Sequence, residues 1–168
     1  MADDPFAYAR ANPFQRAMRR LAASGPGAWL FARVLHHVDR PVHRLTRGRA
    51  TFGSLVSGLP VVMLTTTGAR TGKPRTVPVL GLPTSDGLAV IASNWGQPRP
   101  PAWDRNLRAD PAASIAIGRM TRRVRAVPVE GDRRERIWRA GLDVYPGWSQ
   151  YEQRASGRHI VVYVLEEV

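Results

Sequence analysis

From Pro60 to the C-terminus the chain is written in short apolar runs, most of them rich in β-branched residues and each soon interrupted by Gly, Pro, Asp or Ser. That spacing constrains the fold more than any other feature. Val61-Val62-Met63-Leu64-Thr65-Thr66 reads as a buried strand, Gly68 to Pro74 as a turn, and Arg75 to Leu82 as the returning strand of a hairpin. Ser85-Asp86-Gly87 turns the chain again into a third strand over Leu88 to Ala92. A stiff loop from Asn94 to Pro101, with prolines at 98, 100 and 101, leads into a short helix around Trp103 to Arg108. Ser114 to Ile117 and Thr121 to Val129 make a second hairpin, Asp132 caps a helix through Ile137, Trp138 and Leu142, and His159 to Leu165 supplies a last strand. Hairpins with few crossover helices predict a mainly antiparallel α+β fold, a small barrel with peripheral helices.

Residues 1–49 differ in kind from this pattern and read as a basic amphipathic helical extension, with residues 50–168 as the barrel domain. Asn12-Pro13 is a cap and first helical residue. Phe14, Ala17, Met18 and Leu21 then recur at helical spacing opposite Arg16, Arg19 and Arg20, and Ser24-Gly25-Pro26-Gly27 ends the helix. A second helical pattern runs from Trp29 to His43. Two readings stay open for this pair: packing on the barrel, or lying on an anionic membrane surface through residues 10–49.

Charge bears on partners. The chain has 168 residues with 25 Lys+Arg against 13 Asp+Glu, a net charge of +12, and Lys73 is its single lysine. Two thirds of that excess, +8, falls between Arg10 and Arg49. Arginine is the planar, bidentate partner of phosphate and carboxylate, so a ligand rich in anionic oxygens is expected. Without cysteine there is no disulfide, thiolate nucleophile or Cys-based metal site, and the four histidines lack zinc-binding spacing, so no metal is expected. Basicity alone would suit a nucleic-acid binder, yet no helix-turn-helix, RRM or zinc motif is present, and nucleic acid is not expected as a partner. The start Met1-Ala2-Asp3-Asp4-Pro5 lacks the features of a secretory signal, so a cytoplasmic protein, soluble or peripheral on the membrane, is expected.

Three segments carry the candidate chemistry. Thr65 to Arg75 offers two glycines, hydroxyls and the cations Arg70, Lys73 and Arg75, the equipment of an anion nest, although a solvated turn has the same composition. Ala92-Ser93-Asn94-Trp95-Gly96 and Pro101-Ala102-Trp103-Asp104-Arg105-Asn106-Leu107 join small polar groups to indoles, which suits a flat heteroaromatic ligand; Leu107 reads as core. Tyr145, Trp148 and Tyr151 are spaced to line either a pocket or a core.

Taken together, Thr-Thr-Thr-Gly-x-Arg-Thr-Gly-x-Pro-Arg at 65–75, Ala-Ser-Asn with Pro-Ala-Trp-x-x-Asn-Leu at 92–107, and Tyr-Pro-x-Trp-x-x-Tyr at 145–151 resemble the deazaflavin-dependent nitroreductase family, a branch of the flavin/deazaflavin oxidoreductase split β-barrels. The resemblance covers about residues 55–165. It implies coenzyme F420, a deazaflavin whose tail carries a phosphodiester and glutamates, with FMN as the alternative. Arg70, Thr71 and Arg75 would then hold the tail, and Thr76, Val77, Pro78, Val79 and Leu80 would pass beside the ring. Ile91, Ala92, Ser93 and Asn94 would line it, and Ala102, Trp103, Asp104, Arg105 and Asn106 would close over it. Tyr145, Trp148 and Tyr151 would face a small electrophilic acceptor such as a quinone, an enone or a nitroaromatic, with Tyr145 or Tyr151 supplying the proton that follows the hydride. The sequence departs from the family at Ala69, Asn94 and Trp148, the last of which argues against nitroimidazole reduction. A non-catalytic coenzyme carrier and a homodimer are both compatible with the resemblance.

Overall fold

The computed structural model describes residues 12–27, 30, 58–85, 87–118 and 120–168. The second basic helix expected over Trp29 to His43, and the expected domain boundary at residue 49, lie outside them.

Six strands form one closed antiparallel barrel: β1 (Val61–Thr67), β2 (Pro74–Thr84), β3 (Gly87–Ile91), β4 (Ala112–Ile117), β5 (Met120–Val129) and β6 (Val162–Glu167). Their order round the barrel is β1-β2-β3-β6-β5-β4, with β4 pairing back onto β1. Three joints are the hairpins and tight turns legible in the sequence; the β3–β6, β5–β6 and β1–β4 joints close it at long range. The longer helices among the described residues are α1 (Pro13–Ala23), α2 (Ala102–Ala109), α3 (Gly131–Val144) and α4 (Gly147–Arg154); residues 25–27 are also helical, and Asn94–Gly96 form a single 3-10 turn. Asp132 sits in the first turn of α3, whose cap position is Glu130.

The two-residue period of the strands divides the apolar side chains between two cores. Val62, Leu64, Leu88, Val90, Ile115 and Val124 fill the barrel interior, and Trp103 and Leu107 of α2 join them. The opposite faces of β3 and β6, through Ala89, Ile91, Val162 and Val164, pack beneath Ile137 and Trp138 of α3 and Trp148 and Tyr151 of α4. Each large apolar side chain so buried contributes about 1.5–3 kcal/mol.

Helix α1 departs from expectation. Its start is as read: the Asn12 side chain accepts from the Gln15 N–H at 2.8 Å and the Gln15 side chain answers the Asn12 N–H at 3.0 Å, a capping box with Pro13 inside it. Its orientation is not. Phe14 and Leu21 are 60% and 49% exposed, and Arg19 turns inward to donate to the Gly58 and Val144 carbonyls. The cause lies at the helix C-terminus, where orphan carbonyls need donors. Tyr151 and Arg154 of α4 supply them to Ala22 and Ala23, and small alanines allow the approach. The apolar stripe is thereby left facing outward.

Candidate active site

The hairpin tip between β1 and β2 is closed upon itself. Gly68 N–H donates to the Lys73 carbonyl, Thr71 and Gly72 N–H both donate to the Gly68 carbonyl, and Lys73 N–H reaches Thr71 Oγ1. Ala69 N–H donates to Asn106 Oδ1 at 3.0 Å. With these donors committed inside the protein, the tip is not the backbone anion nest that its glycines suggest. What it offers are side chains: Arg70, Thr71, Lys73 and Arg75 are all exposed.

Asn106 ties this tip to α2. Its amide Nδ2 donates to Thr66 Oγ1 at 2.9 Å, while its Oδ1 takes the Ala69 N–H. Asn106 and Thr66 are both buried. Asp104 is buried too, its Oδ1 accepting from the Tyr163 hydroxyl at 2.9 Å and its Oδ2 from Arg108 Nε at 3.0 Å. Burial, and the hydrogen bond to Asp104, push the Tyr163 phenol well above its ordinary range. Trp103 packs edge-on against Tyr163, with ring centroids 6.1 Å apart. Three of the five α2 residues expected to close over a ligand, Trp103, Asp104 and Asn106, therefore hold the scaffold together. Ala102 and Arg105 are exposed on the opposite face. Arg70 and Arg105 are each adjacent in sequence to one member of the Ala69–Asn106 bond, so the exposed cations of the tip, Arg70, Lys73 and Arg75, and exposed Arg105 belong to two segments which that bond joins, a candidate cationic ridge.

Strand β2 splits in the same way. Val77 and Val79 point into the barrel interior, whereas Leu80 packs with the outer core and Thr76, on the same face, makes a 2.8 Å hydroxyl contact with Thr65. Only Thr76, Pro78 and Leu80 can present side chains to a ligand lying outside the barrel; Val77 and Val79 could touch one through backbone alone.

After Ile91, buried under the helical layer, Ala92 turns into the barrel end, and Ser93 is buried. Asn94, Trp95 and Gly96 then follow with φ of 47°, 58° and 74°, three left-handed residues in succession. Such a conformation costs about 1–3 kcal/mol at a non-glycine residue and persists only where its surroundings fix it. Asn94 Nδ2 donates to the Arg99 carbonyl at 2.8 Å, and the Trp95 ring meets Tyr151 edge-on at 6.0 Å. Gly96 admits no side chain, since a Cβ there would stand 2.8 Å from Tyr151 Cα. Behind the turn Arg158 donates to the carbonyls of Ala92 at 3.1 Å, Ser93 at 2.8 Å and Gln97 at 3.2 and 3.3 Å. Nothing local marks this role, because Arg158 is one of 24 arginines and meets the loop only through the fold.

The aromatic trio is buried, at 3% exposure for Tyr145 and 2% for Trp148 and Tyr151. The Tyr151 hydroxyl donates to the Ala22 carbonyl at 2.9 Å. Its single proton is thus committed, so in the 2.7 Å contact between the two phenols Tyr145 is the donor. Burial raises both phenol pKa values. Arg154 lies 5.0 Å over the Tyr151 ring and donates through Nη1 to the Ala23 carbonyl, while its buried Nη2 finds no acceptor among the described residues. Tyr145 ends α3 and the other two aromatics lie on α4, so the trio meets across a helix break, with the last turn of α1 on top.

A closed six-stranded antiparallel barrel with peripheral helices is the split β-barrel architecture, and likeness to proteins of known activity makes it that of a deazaflavin-dependent oxidoreductase. More narrowly, the chain belongs to the F420H(2)-dependent quinone reductase family, whose model matches residues 38–167. It is 34% identical over 128 residues to the F420H(2)-dependent quinone reductase Rv1261c of Mycobacterium tuberculosis, spanning 74% of this chain and 84% of that protein. A solved F420-H2 dependent reductase, FDR-A, superposes with a TM-score of 0.58 at 34% identity, covering 64% of this chain and 94% of the other. A second solved chain, described as a domain-swapped dimer, gives 0.61 at 30% identity over 84% and 100%. Among the described residues no group of His, Asp and Glu is placed to hold a metal ion, and no helix is long and apolar enough to cross a membrane.

Proposed function

We propose that this protein delivers a hydride from reduced coenzyme F420 to a quinone, with the coenzyme's tail on the cationic ridge and its ring beside the 91–94 loop. The observation that carries this reading is the ridge: exposed Arg70, Lys73, Arg75 and Arg105 on a tip that Asn106 fixes to α2. A phosphodiester followed by glutamates fits such a donor set, and FMN, which lacks the glutamates, uses less of it. Arg70, Thr71 and Arg75 hold the tail, Thr76, Pro78 and Leu80 flank the ring, Ile91 to Asn94 line it, and Ala102 and Arg105 cover the middle. When bound, the coenzyme supplies the hydride from C5; the protein's share is binding, orientation and exclusion of water.

The acceptor sits at the aromatic cluster beneath α1. A quinone oxygen taking the place of the Ala22 carbonyl would meet the Tyr151 hydroxyl, with Tyr145 behind it in a two-phenol chain and the Arg154 Nη2 donor alongside. Burial keeps both phenols protonated at neutral pH, so Tyr151 can pass a proton to the reduced oxygen and recover one from Tyr145, which solvent reprotonates before the next turnover. Access requires the last turn of α1 to move aside.

The test is to mix the purified protein with F420H2 and a menaquinone analogue, then with a nitroaromatic, and follow the return of the oxidised coenzyme's fluorescence. Reoxidation by the quinone is expected, faster than by the nitro compound. Tighter binding of FMN than of F420, or no turnover with any quinone, enone or nitro acceptor, would refute it.

A peripheral membrane location is the second reading, favoured by the outward stripe of Phe14, Ala17 and Leu21 beside exposed Arg20 on α1. Sedimentation with anionic vesicles is expected and should be lost on Phe14→Ser with Leu21→Ser; retained sedimentation overturns it. Light scattering after gel filtration decides between monomer and homodimer, the state suggested by the domain-swapped relative.

A further inference from the structure

We infer that Arg158 is a positioning residue for the coenzyme: its guanidinium locks the left-handed turn 94–96 and so sets the height and angle at which Ser93 and Asn94 meet the ring. This rests on the proposal that the 91–94 loop lines the deazaflavin. The argument begins with strain. A tryptophan at φ 58°, ψ 22° is disfavoured by its Cβ, and an unrestrained loop of this composition would relax out of that conformation. Within the turn Gly96 N–H closes on the Ser93 carbonyl and Gln97 N–H on that of Asn94, at 3.0 Å each, bonds that many other turns could supply. What is particular to this loop is the fork behind it. Arg158 gathers the carbonyls of Ala92, Ser93 and Gln97, which bracket the turn at both ends, onto one rigid planar group. Three carbonyls held together fix the loop's entry, exit and tilt, and only a guanidinium carries enough donors in one plane to do so.

Burial lowers the Arg158 pKa from its ordinary value, the field of Asp104 opposes part of that shift, and a guanidinium remains charged at neutral pH. Asp104 in turn receives hydrogen bonds from Tyr163 and Arg108. The carboxylate that anchors α2 therefore also steadies the cation behind the loop. Arg158 itself follows the tight turn at Ser156 and Gly157, which starts the chain toward β6 and leaves this side chain pointing back to the end of β3. The hydrogen bonds of Arg158 reach neither the proposed tail ridge nor the aromatic cluster; the loop it holds meets the cluster where Trp95 and Gly96 pack against Tyr151.

The experiment compares the full-length wild type with Arg158→Ala, Arg158→Lys and, as a surface control, Arg139→Ala, whose side chain pairs with Glu135 on α3. Coenzyme affinity is read by F420 fluorescence quenching, KM and kcat by turnover with a menaquinone analogue, and loop order by hydrogen exchange of the peptide spanning 92–99. Arg158→Ala should weaken F420 binding by about tenfold, the effect of losing roughly one charge-assisted hydrogen bond's worth of organisation. Exchange in 92–99 should quicken, and guanidinium ion added at tens of millimolar should restore part of the affinity. Arg158→Lys, with one ammonium for three carbonyls, should fall between and should not be rescued; it also serves if the alanine variant fails to fold. Arg139→Ala should match the wild type. An F420 affinity within twofold of wild type while the loop exchanges faster would overturn the inference, as would unchanged exchange in 92–99. Failure of the wild type to bind F420 at all would instead sink the proposed function and the coenzyme half of this inference with it, while the exchange data would still decide whether Arg158 holds the turn.

Discussion

Replacing Asn106 by alanine tests the joint between scaffold and site. The substitution removes two bonds of unequal weight. The bond to Thr66 Oγ1 is enclosed, so its loss strands a buried hydroxyl and costs about 1–2 kcal/mol; the Ala69 N–H belongs to an exposed residue and recovers most of its bond from water, leaving roughly 0.5 kcal/mol. A total near 2 kcal/mol lowers the melting temperature by about 4–8 °C in a chain of this size. Thr66→Val removes the partner instead, and the double variant should show a coupling of about 1 kcal/mol, because the second substitution finds its bond already gone. The functional effect follows from the tip. Without the Asn106 anchor, residues 68–73 regain freedom that coenzyme binding must remove, and re-ordering even one residue at 1–2 kcal/mol weakens affinity about tenfold. Calorimetric melting of the four proteins and F420 titration of each are the assays. Coupling below about 0.3 kcal/mol with unchanged F420 affinity would refute the reasoning, since Asn106 would then be neither bonded to Thr66 nor placing the tip.

Tyr151→Phe takes the donor from the Ala22 carbonyl and the acceptor from Tyr145; it should cost about 1–3 kcal/mol in a urea melt and lower kcat for quinone while leaving F420 affinity alone, and unchanged kcat would remove Tyr151 from the proton path. The folded-state pKa values of Tyr145, Tyr151 and Tyr163 all lie above the unfolded value of about 10, so their contribution is complete below that pH and is lost as pH rises beyond it. Each contributes a slope of about 1.4 kcal/mol per pH unit while the unfolded form ionises and the folded form does not, so phenolate absorbance from these three should appear together with unfolding; ionisation of all three in a folded protein near pH 10 would contradict their burial. Gly96→Ala, with a Cβ driven 2.8 Å from the Tyr151 backbone, should cost more than about 2 kcal/mol, whereas Gly72→Ala, at φ 63° with open space around it, should cost about 1; equal losses would argue against the close approach.

Much of the barrel was readable because local signals and tertiary pairing agree. Gly68 to Pro74 and Ser85 to Gly87 are bordered by strands within a residue or two of their expected limits, and the capping box at Asn12 needs no distant partner. The orientation of α1 was not readable, since the apolar face of a helix packs inward only if nothing stronger claims another face. Here the carbonyls of its last turn are claimed by Tyr151 and Arg154, some 130 residues along the chain.

The site shows two different reasons for illegibility. At 76–80 and 102–106 the information was local: strand alternation separates Val77 and Val79 from Thr76, Pro78 and Leu80, and helical spacing sets Trp103, Asn106 and Leu107 on one face and Ala102 and Arg105 on another. A motif transferred as a contiguous block hides that division, and several of its members serve the site only by holding its parts in place. At Arg158 the information was never local. Its meaning depends on three carbonyls 61 to 66 residues earlier converging on one guanidinium, a convergence made by the pairing of β3 with β6. The net charge of +12 therefore contains at least three kinds of arginine: exposed ones that can meet an anion, as at Arg70; inward ones that cap carbonyls, as at Arg19, Arg154 and Arg158; and ones paired along helices, as at Arg108 and Arg139. Only the first kind can meet the ligand, so a salt titration of coenzyme binding should report the few cations of the ridge rather than the whole excess.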